Sequence, residues 1–388
     1  MTPTENVRLM EHEGHAPRRV LWVFAWLVVG GEETEVRLLA RNLDARRYQI
    51  DVVGCFRKPN MPDQTHLQLE EMGVAVDRTP YNLSFEETVE YLADKIPNYD
   101  LIIACQAVQD VYAALELAQS RGIDTPPLIE HGGLVGEALM CRADFVARYV
   151  GVCDSIRAAA AERLSTRSHH ARMIPSMVDL SEFNNSHRRD VRREWNLADD
   201  VPVVGWVGRL DRKKRVEDFI RAAAIVRETN ARARFFVIGG PDAFMPEHED
   251  ELRELTHQLG LSENLKFLGD RDDVPRLLAG LDVLAWLSRD EGMPHIISEA
   301  GAARLPVVAT RDNGSEEQIE AEHSGLFVPH QSPLEVAAKI VRLLGDENLR
   351  RHLGNNLRRK VENEYSAHIV ARQWEALFDE VLAESSTR

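Results

Sequence analysis

The feature that most constrains the fold is a pattern that occurs twice: a buried strand, a glycine loop and an amphipathic helix. Its first copy begins at Val20 and passes through Gly30-Gly31 into a predicted helix. The second copy begins at Val201, passes Gly208 and enters a predicted helix at Val216. Short buried strands alternate with helices after both starts, which is typical of parallel sheets flanked by helices. The sequence therefore predicts an α/β protein with two Rossmann-like, doubly wound parallel-sheet domains.

The second start of the pattern also sets the domain organisation. We predict a first domain over residues 1–185 and a second over residues 186–366, because residues 179–200 are polar and lack a hydrophobic period. A last amphipathic helix is predicted over residues 367–388. In open α/β sheets ligands bind beyond the carboxyl ends of the strands. We therefore expect the two domains to face a shared cleft.

Composition excludes several classes of function. The net charge of −16 is spread over both halves, so no basic face for nucleic acid or an anionic membrane is expected. No apolar run is long enough for a transmembrane segment, and the four scattered cysteines indicate reduced thiols in a cytoplasmic protein. The basic cluster over residues 188–193 is interpreted as a solvated linker. The chain up to Pro17 is expected to lack regular structure.

A segment with two carboxylates indicates a ligand rich in hydroxyl groups. From Glu291 to Glu299 the chain reads Glu-Gly-Met-Pro-His-Ile-Ile-Ser-Glu. Gly292 lets the backbone approach a ligand, and Pro294 suits the first turn of a helix whose free N–H groups meet an anion. Carboxylates accept hydrogen bonds, so the two glutamates are predicted to bind a sugar and a ribose. The alternative is an exposed helix N-terminus with solvated glutamates. The predicted donor-binding residues of this segment are Gly292, Met293, Pro294, His295, Ile296 and Glu299.

Two cations upstream fit a diphosphate. Arg209 and Lys214 flank a loop between a strand and a helix, so both can converge on an anion held by backbone N–H groups. A solvated basic loop is the competing interpretation. Gly30 and Gly31 lie at the equivalent corner of the first half, where a phosphate or acceptor can approach the backbone, although a simple turn also explains them.

Two further positions follow predicted strands. His131 precedes two glycines, so its ring is predicted at the rim of the cleft, where it would contact a sugar hydroxyl or orient the reacting groups. A purely structural histidine is the alternative. Gly269 and Asp270 end another strand and are predicted to line a base pocket. The Asp-Arg-Asp pattern at 270–272 is not interpreted as a metal site, because cations and a helix terminus already meet the diphosphate charge.

Together these motifs resemble the retaining glycosyltransferases of family 4, the group 1 type with the two-domain GT-B architecture. The resemblance is strongest over residues 174–345 and thin over residues 55–125. It rests on the glycine loop at 30–31, Ile174–Asp179, Gly208-Arg209 with Lys214, Phe267–Gly269, Ser288–Gly292, the Glu291 and Glu299 pair, Leu305–Thr310, Gly314 with Glu317, and Ser324–Val328.

The resemblance implies a role for each motif. Arg209 and Lys214 would hold the donor diphosphate, Glu299 the ribose, Glu291 and the backbone amides of Met293 to Ile296 the donor sugar, and His131 the sugar near its reacting face. It implies transfer of a hexose, from a UDP sugar rather than a GDP sugar, by same-face substitution without a metal or other cofactor. It also implies that the last helix crosses back onto the first domain. Arg215 departs from the family pattern, which usually has glycine there, and Glu316 replaces a common proline.

Other functions fit the same motifs. A nucleotide-sugar epimerase shares the two-domain shape and needs no acceptor. A non-catalytic subunit that binds sugar nucleotides is the other alternative. The acceptor itself is open and includes a small molecule, a saccharide or a lipid-linked sugar.

Overall fold

The computed structural model describes residues 16–59, 61–106 and 108–385, which form two parallel sheets. The prediction for the chain up to Pro17 lies almost entirely outside these ranges. The strands of the first sheet are β1 (Arg18–Phe24), β2 (Tyr48–Gly54), β3 (Ala75–Asp77), β4 (Leu101–Cys105), β5 (Leu128–Gly132), β6 (Val146–Gly151) and β7 (Ala171–Met173). Those of the second are β8 (Val203–Val207), β9 (Arg234–Ile238), β10 (Leu265–Phe267), β11 (Val283–Trp286), β12 (Val307–Thr310) and β13 (Leu326–Val328).

Helices cover both faces of each sheet. Those before the second sheet are α1 (Gly31–Asn42), α2 (Gln64–Glu71), α3 (Phe85–Lys95), α4 (Val108–Ser120), α5 (Val135–Met140), α6 (Asp154–Leu164) and α7 (Arg188–Glu194). The remainder are α8 (Val216–Thr229), α9 (His248–Gln258), α10 (Val274–Leu278), α11 (His295–Ala302), α12 (Asn313–Gln318), α13 (Pro333–Gly345), α14 (Glu347–Lys360) and α15 (Ala367–Ser385).

The two sheets share one topology. The first has the order β3-β2-β1-β4-β5-β6-β7 and the second has β10-β9-β8-β11-β12-β13, with parallel neighbours. The order reverses between β1 and β4 and again between β8 and β11. A crevice for ligands opens at such a reversal, beyond the carboxyl ends of the strands. The predicted fold class, two doubly wound α/β domains, is confirmed.

The last helix packs on the first domain, where the resemblance placed it. Trp374 of α15 is fully buried, and its ring centroid lies 5.7 Å from that of Trp22 in β1. The helix is also held by charge, since Arg148 of β6 is 2% exposed and its Nη2 lies 2.6 Å from Glu380 Oε1. Large apolar side chains, together with an ion pair whose arginine is buried and whose glutamate is partly exposed, fix α15 across one face of the first sheet.

The chain passes between the domains twice, at one place. Val178 N donates to Tyr365 O, and Ala367 N donates to Val178 O; the N···O distance is 2.9 Å in each hydrogen bond. The predicted boundary at residue 185 falls between this crossing and α7. Because both crossings run side by side, rotation about them is the motion that would open or close the cleft.

Two expectations from the sequence need correction. The cluster over residues 188–193 is not simply a solvated linker, since Arg192 is fully buried and its Nη2 lies 2.8 Å from Asp282 Oδ2. It joins α7 to the second domain beside the start of β8. Of the four described edge strands, each three residues long, the sequence predicted only β10, over residues 265–268, and omitted β3, β7 and β13, because three residues are a weak signal for a strand period. No helix among the described residues is both long and apolar enough to cross a membrane.

Candidate active site

A cavity of about 700 Å³ lies between the domains, at the strand-order reversal of both sheets. Its second-domain wall comes from the loops after β8, β9 and β11, and its first-domain wall from the loops after β1, β4 and β5 together with α1. The predicted residues that line it are Gly30, Gly31, His131, Arg209, Lys214, Glu291, Gly292, Met293 and His295. Motifs separated by up to 265 positions are thus brought together by the paired topology.

The loop after β8 presents the two predicted cations. Arg209 Nε lies 2.9 Å from Asp242 Oδ2, and Lys214 Nζ lies 2.7 Å from Glu291 Oε1. The turn that carries Lys214 ends at Arg215, whose φ of 56° is left-handed. That conformation disfavours side chains, which explains why glycine is usual here in the family that the sequence resembles. In this structure both cations are paired with carboxylates of their own domain, so an incoming anion has to compete for them.

Glu291 is the centre of the second-domain wall. It lies in the turn after β11, accepts a 2.6 Å hydrogen bond from Ser288 Oγ and pairs with Lys214. Burial opposes its ionisation, but Lys214 and Lys213 outweigh burial and hold the pKa of Glu291 below its ordinary value. Burial lowers the pKa of Lys214, with Glu291 opposing that shift. Each charge thus favours the other, and the Glu291 carboxylate is an acceptor for hydroxyl groups.

The domains touch closely where Gly292 begins the turn into α11. A Cβ on Gly292 would lie 2.3 Å from the carbonyl oxygen of Gly133 in the first domain. A Cβ on Gly31 would lie 3.0 Å from His295 Cδ2, again across the cleft. Pro294 occupies the N-cap of α11, and no side chain caps that end, so its first N–H groups are left for a ligand. At Gly292 a side chain is excluded because two backbones meet, whereas at Gly31 a Cβ would press on the ring of His295.

His295 docks the second domain onto the first. Its Nδ1 lies 3.2 Å from Met177 O, and its Nε2 lies 3.5 Å from Glu35 Oε2 in α1. Burial lowers the pKa of His295 to about 4 and raises the pKa of Glu35 to about 8. At neutral pH both side chains are thus uncharged, and the contact is polar without being an ion pair. The ring is engaged in this contact, so a donor-binding role falls to the backbone of His295.

His131 forms part of the opposite wall. It lies in β5, is 2% exposed, and contacts the rings of Trp22 and Trp374, with centroids 5.9 and 5.5 Å away. Burial, with a smaller contribution from His295, lowers the pKa of His131 to about 4. The imidazole is therefore neutral at pH 7 and offers one lone pair and one N–H. Its Nε2 has no hydrogen-bond partner among the described residues.

Five predicted positions do not line the cavity. Pro294, Ile296 and Glu299 belong to α11 or its cap, while Gly269 and Asp270 follow β10 at the far side of β9. Loss of hydration raises the pKa of Glu299 to about 7, with Arg37 opposing and Glu182 adding to the shift. Asp270 Oδ1 accepts a 2.8 Å hydrogen bond from Gly240 N, which fixes the loops after β9 and β10 to each other. These two loops extend the second-domain wall away from His131.

Sequence reasoning missed the carboxyl groups of the first-domain wall. Burial raises the pKa of Glu32 to about 8 and that of Glu33 to about 7. Glu33 accepts a 3.1 Å hydrogen bond from Val28 N, and Gln106 donates to Glu32. The sequence does show two acidic residues, Glu32 and Glu33, directly after Gly30-Gly31. Acidic residues are common in the first turn of a helix because they complement the helix dipole, so they did not indicate a site. The first-domain carboxyl groups that line the cavity are Glu32, Glu33, Glu35, Asp110, Glu130 and Glu137.

The whole fold is shared with known glycosyltransferases. HepE of Anabaena, solved in complex with UDP and glucose, superposes with a TM-score of 0.80 at 20% identity over 93% of this chain and 99% of that chain. Sucrose-phosphate synthase from Thermosynechococcus elongatus superposes with a TM-score of 0.74 at 21% identity over 95% of this chain and all of that chain. These similarities and the two facing sheets define the architecture as GT-B.

The second domain matches a known family. Residues 187–360 match the family described as Glycosyl transferases group 1, so the chain contains a group 1 glycosyltransferase domain, and the resemblance to the group 1 type seen in the sequence is confirmed for these residues. N-acetyl-alpha-D-glucosaminyl L-malate synthase of Bacillus anthracis is 27% identical over 54% of this chain and 53% of that protein. D-inositol 3-phosphate glycosyltransferase of Corynebacterium urealyticum is 32% identical over 47% of this chain and 45% of that protein. The chain spans about half the length of these curated relatives.

Proposed function

We propose that the protein is a glycosyltransferase that moves a hexose from a nucleoside-diphosphate sugar to an acceptor hydroxyl, with retention of configuration. The observation that carries the proposal is the convergence of Arg209, Lys214 and Glu291 at the strand-order reversal of the second sheet, in one cavity with His131 of β5 in the first sheet. The group 1 domain and the GT-B neighbours support the reaction class. We favour a UDP sugar over a GDP sugar, which the complex of HepE with UDP and glucose supports by analogy.

In this proposal the chain supplies charge and position. A donor diphosphate replaces Asp242 at Arg209 and Glu291 at Lys214, so a partly exposed guanidinium and a largely buried ammonium face the leaving group. Negative charge that develops on the leaving phosphate is stabilised by these cations and by the uncapped N-terminus of α11. This set of charges is why we expect no metal cofactor for transfer.

The sugar lies between Glu291 and His131. The released Glu291 carboxylate accepts from sugar hydroxyls, and the neutral His131 imidazole meets the sugar from the first domain. In same-face substitution the leaving phosphate oxygen takes the proton of the acceptor hydroxyl, so no protein base is required. We keep Glu299 as the ribose ligand that the resemblance implies, and Gly269 and Asp270 beside the base. The close contacts at Gly292 and Gly31 exclude water from the reacting atoms, which favours transfer over hydrolysis.

The first-domain wall indicates the charge of the acceptor. It contributes six carboxyl groups to the cavity and, among its described lining residues, no Lys or Arg. An anionic acceptor would find no cation on this wall to offset its charge, whereas the carboxyl groups offer hydrogen-bond partners to the hydroxyl or amine groups of a neutral or amine-bearing polyol. We therefore propose that the acceptor is not an anion, unlike the malate and inositol 3-phosphate in the names of the relatives.

The four cysteines are all unpaired and buried. Unpaired thiols are typical of proteins in a reducing compartment. This supports the cytoplasm as the place of the reaction.

A donor screen tests the function first. Thermal unfolding with UDP, GDP and ADP sugars should show a shift for UDP sugars, since a ligand of the native state stabilises it by mass action. Incubation with the donor that binds, with and without polyol acceptors, then separates the hypotheses. Free nucleoside diphosphate with a glycosylated acceptor supports transfer, an isomerised donor indicates an epimerase, and binding without any turnover indicates a non-catalytic subunit. The anomeric configuration of the product by proton NMR decides whether transfer retains it.

Matched variants test the site. Lys214→Ala should lower kcat by at least about 100-fold, because the lost cation stabilises charge that grows in the transition state. Lys266→Ala removes an exposed lysine from β10 and should leave the kinetics unchanged. Glu299→Ala should raise KM for the donor. The pair myo-inositol and inositol 3-phosphate tests acceptor charge, and faster transfer to the phosphate would refute that part of the proposal.

A further inference from the structure

Three side chains at the first-domain wall have an arrangement that sugar transfer does not explain. Cys105 ends β4, His131 lies in β5, and the two are direct partners in the parallel register. Neighbours in register project to the same face of a sheet, so thiol and imidazole lie side by side. The first turn of α1 places Glu32 over both. Cys105 has no part in binding or catalysis as proposed above.

The distances fit a tetrahedral cation. One ligating atom from each of Glu32, Cys105 and His131 lies within 4.8 Å of the others, and Cys105 Sγ lies 3.7 Å from His131 Nδ1. With Zn–S near 2.3 Å and Zn–N near 2.0 Å, a tetrahedral zinc separates these two ligands by about 3.6 Å. The thiol and imidazole therefore already stand at the required separation. Small rotations of the Glu32 side chain would bring in its carboxylate.

The ligand atoms are available to a cation. His131 is 2% exposed, and its Nε2 has no partner among the described residues, so no strong hydrogen bond commits either ring nitrogen to carrying the proton. Gln106 donates to Glu32 and thereby orients the carboxylate. Glu33 and Glu137 lie close enough to Glu32 to repel its charge, a repulsion that a dication would relieve. No other group of this kind occurs in the part of the chain that the structure describes.

We propose that Glu32, Cys105 and His131 form a binding site for a soft divalent cation, of which Zn²⁺ is the expected one. Thiolate and imidazole select Zn²⁺ over Mg²⁺ and Ca²⁺, which prefer oxygen ligands. Binding displaces the thiol proton of Cys105 to solvent, and the fourth position faces the cavity. Because His131 is then occupied, bound zinc inhibits sugar transfer rather than assisting it.

The surroundings set limits on affinity. In most zinc sites the second ring nitrogen of the histidine donates to a fixed acceptor, and loss of that acceptor weakens binding by about 10–100-fold. His131 has no such acceptor among the described residues. We therefore expect reversible binding that a chelator removes, as suits an inhibitory site more than a structural one.

Zinc binding to the full chain, without nucleotide or acceptor, tests the proposal. After treatment with EDTA and its removal, Zn²⁺ is titrated in competition with a chromophoric chelator, and Co²⁺ is added separately to look for a thiolate-to-cobalt charge-transfer band. The expected result is one zinc site per chain that the chelator can empty, together with a cobalt band. Cys105→Ala should abolish the band and weaken zinc binding at least 10-fold. Cys153→Ala removes another buried cysteine of the same domain and should leave both unchanged.

Two results would overturn the proposal. One is the absence of a stoichiometric zinc site in the wild-type chain, and the other is equal binding by the Cys105→Ala and wild-type chains, which would place zinc on surface histidines. Thermal unfolding of each variant shows that it is folded, and Glu32→Gln gives a second route if Cys105→Ala is not. Because the readout involves no sugar transfer, its outcome is independent of the proposed function. If transfer is established, zinc inhibition that is lost in Glu32→Gln is the corresponding kinetic result.

Discussion

Replacement of Gly292 by alanine tests whether closure of the two domains at this turn is needed for activity. The new Cβ would lie 2.3 Å from Gly133 O and 2.8 Å from Val152 Cγ2, whereas ordinary contacts of a Cβ begin at 3.4 Å. The oxygen is backbone, so no rotamer change relieves the contact. Gly133 and Gly292 belong to different domains, and the difference of about 1 Å has to be met by moving one domain from the other.

A shift of this size has a calculable effect. Misplacement of reacting groups by about 1 Å costs on the order of 100-fold in rate, so kcat/KM for transfer should fall about 100-fold in Gly292→Ala. Each domain should keep its fold, because the clash lies between them. Small-angle scattering should show a slightly larger radius of gyration, and hydrogen exchange should be faster around residues 131–134 and 291–296.

The matched control is Gly345→Ala. Nothing lies within 4 Å of a Cβ at Gly345, so the same change in chemistry has no steric effect there. Equal activity of the wild-type and Gly292→Ala proteins, with unchanged scattering, would refute the reasoning. It would mean either that the turn relaxes locally or that the closed contact plays no part in transfer.

Three further outcomes are expected. Glu299→Gln should gain stability relative to the wild type as pH rises from about 5 to 8. The folded-state pKa of Glu299 is raised from 4.5 to about 7, so ionisation of the wild-type carboxyl lowers the free energy of unfolding by roughly 3 kcal/mol at most. An equal difference in stability between the two proteins at both pH values, measured by urea denaturation, would contradict this. Arg215→Gly should be more stable than Arg215→Ala by about 1 kcal/mol, because both lose the same ion pairs and only glycine tolerates a φ of 56°; equal urea midpoints would argue against strain there. Trp374→Ala should lower the free energy of unfolding by about 3–5 kcal/mol, since a fully buried indole leaves a cavity beside Trp22, and a loss under 1 kcal/mol would show that α15 is not integral to the first domain.

Much of the fold was predictable from local pattern. Continuous apolar runs such as Val20–Phe24 and Val203–Val207 are buried on both faces, and each is followed by glycine and a helix period, so strand, loop and helix appear in the sequence as separate signals. Three of the four edge strands were missed, because a run of three residues is a weak signal for a strand period. The burial of Arg192 was missed because a run of basic residues is normally interpreted as solvent-exposed. Only the structure shows that Asp282, ninety positions away, pairs with this arginine.

The sequence alone determined the residue types of the site and their order along two similar halves. In the proposed function, a diphosphate and a sugar account for the identities of Arg209, Lys214 and Glu291, and the ends of predicted strands account for their places. Only the tertiary structure decided what each side chain contacts in the absence of ligand. It pairs Lys214 with Glu291, brings Cys105 into contact with His131 and brings His295 into contact with Glu35. Such contacts join residues far apart in the chain, and they depend on sheet register and domain closure, which no local sequence period encodes.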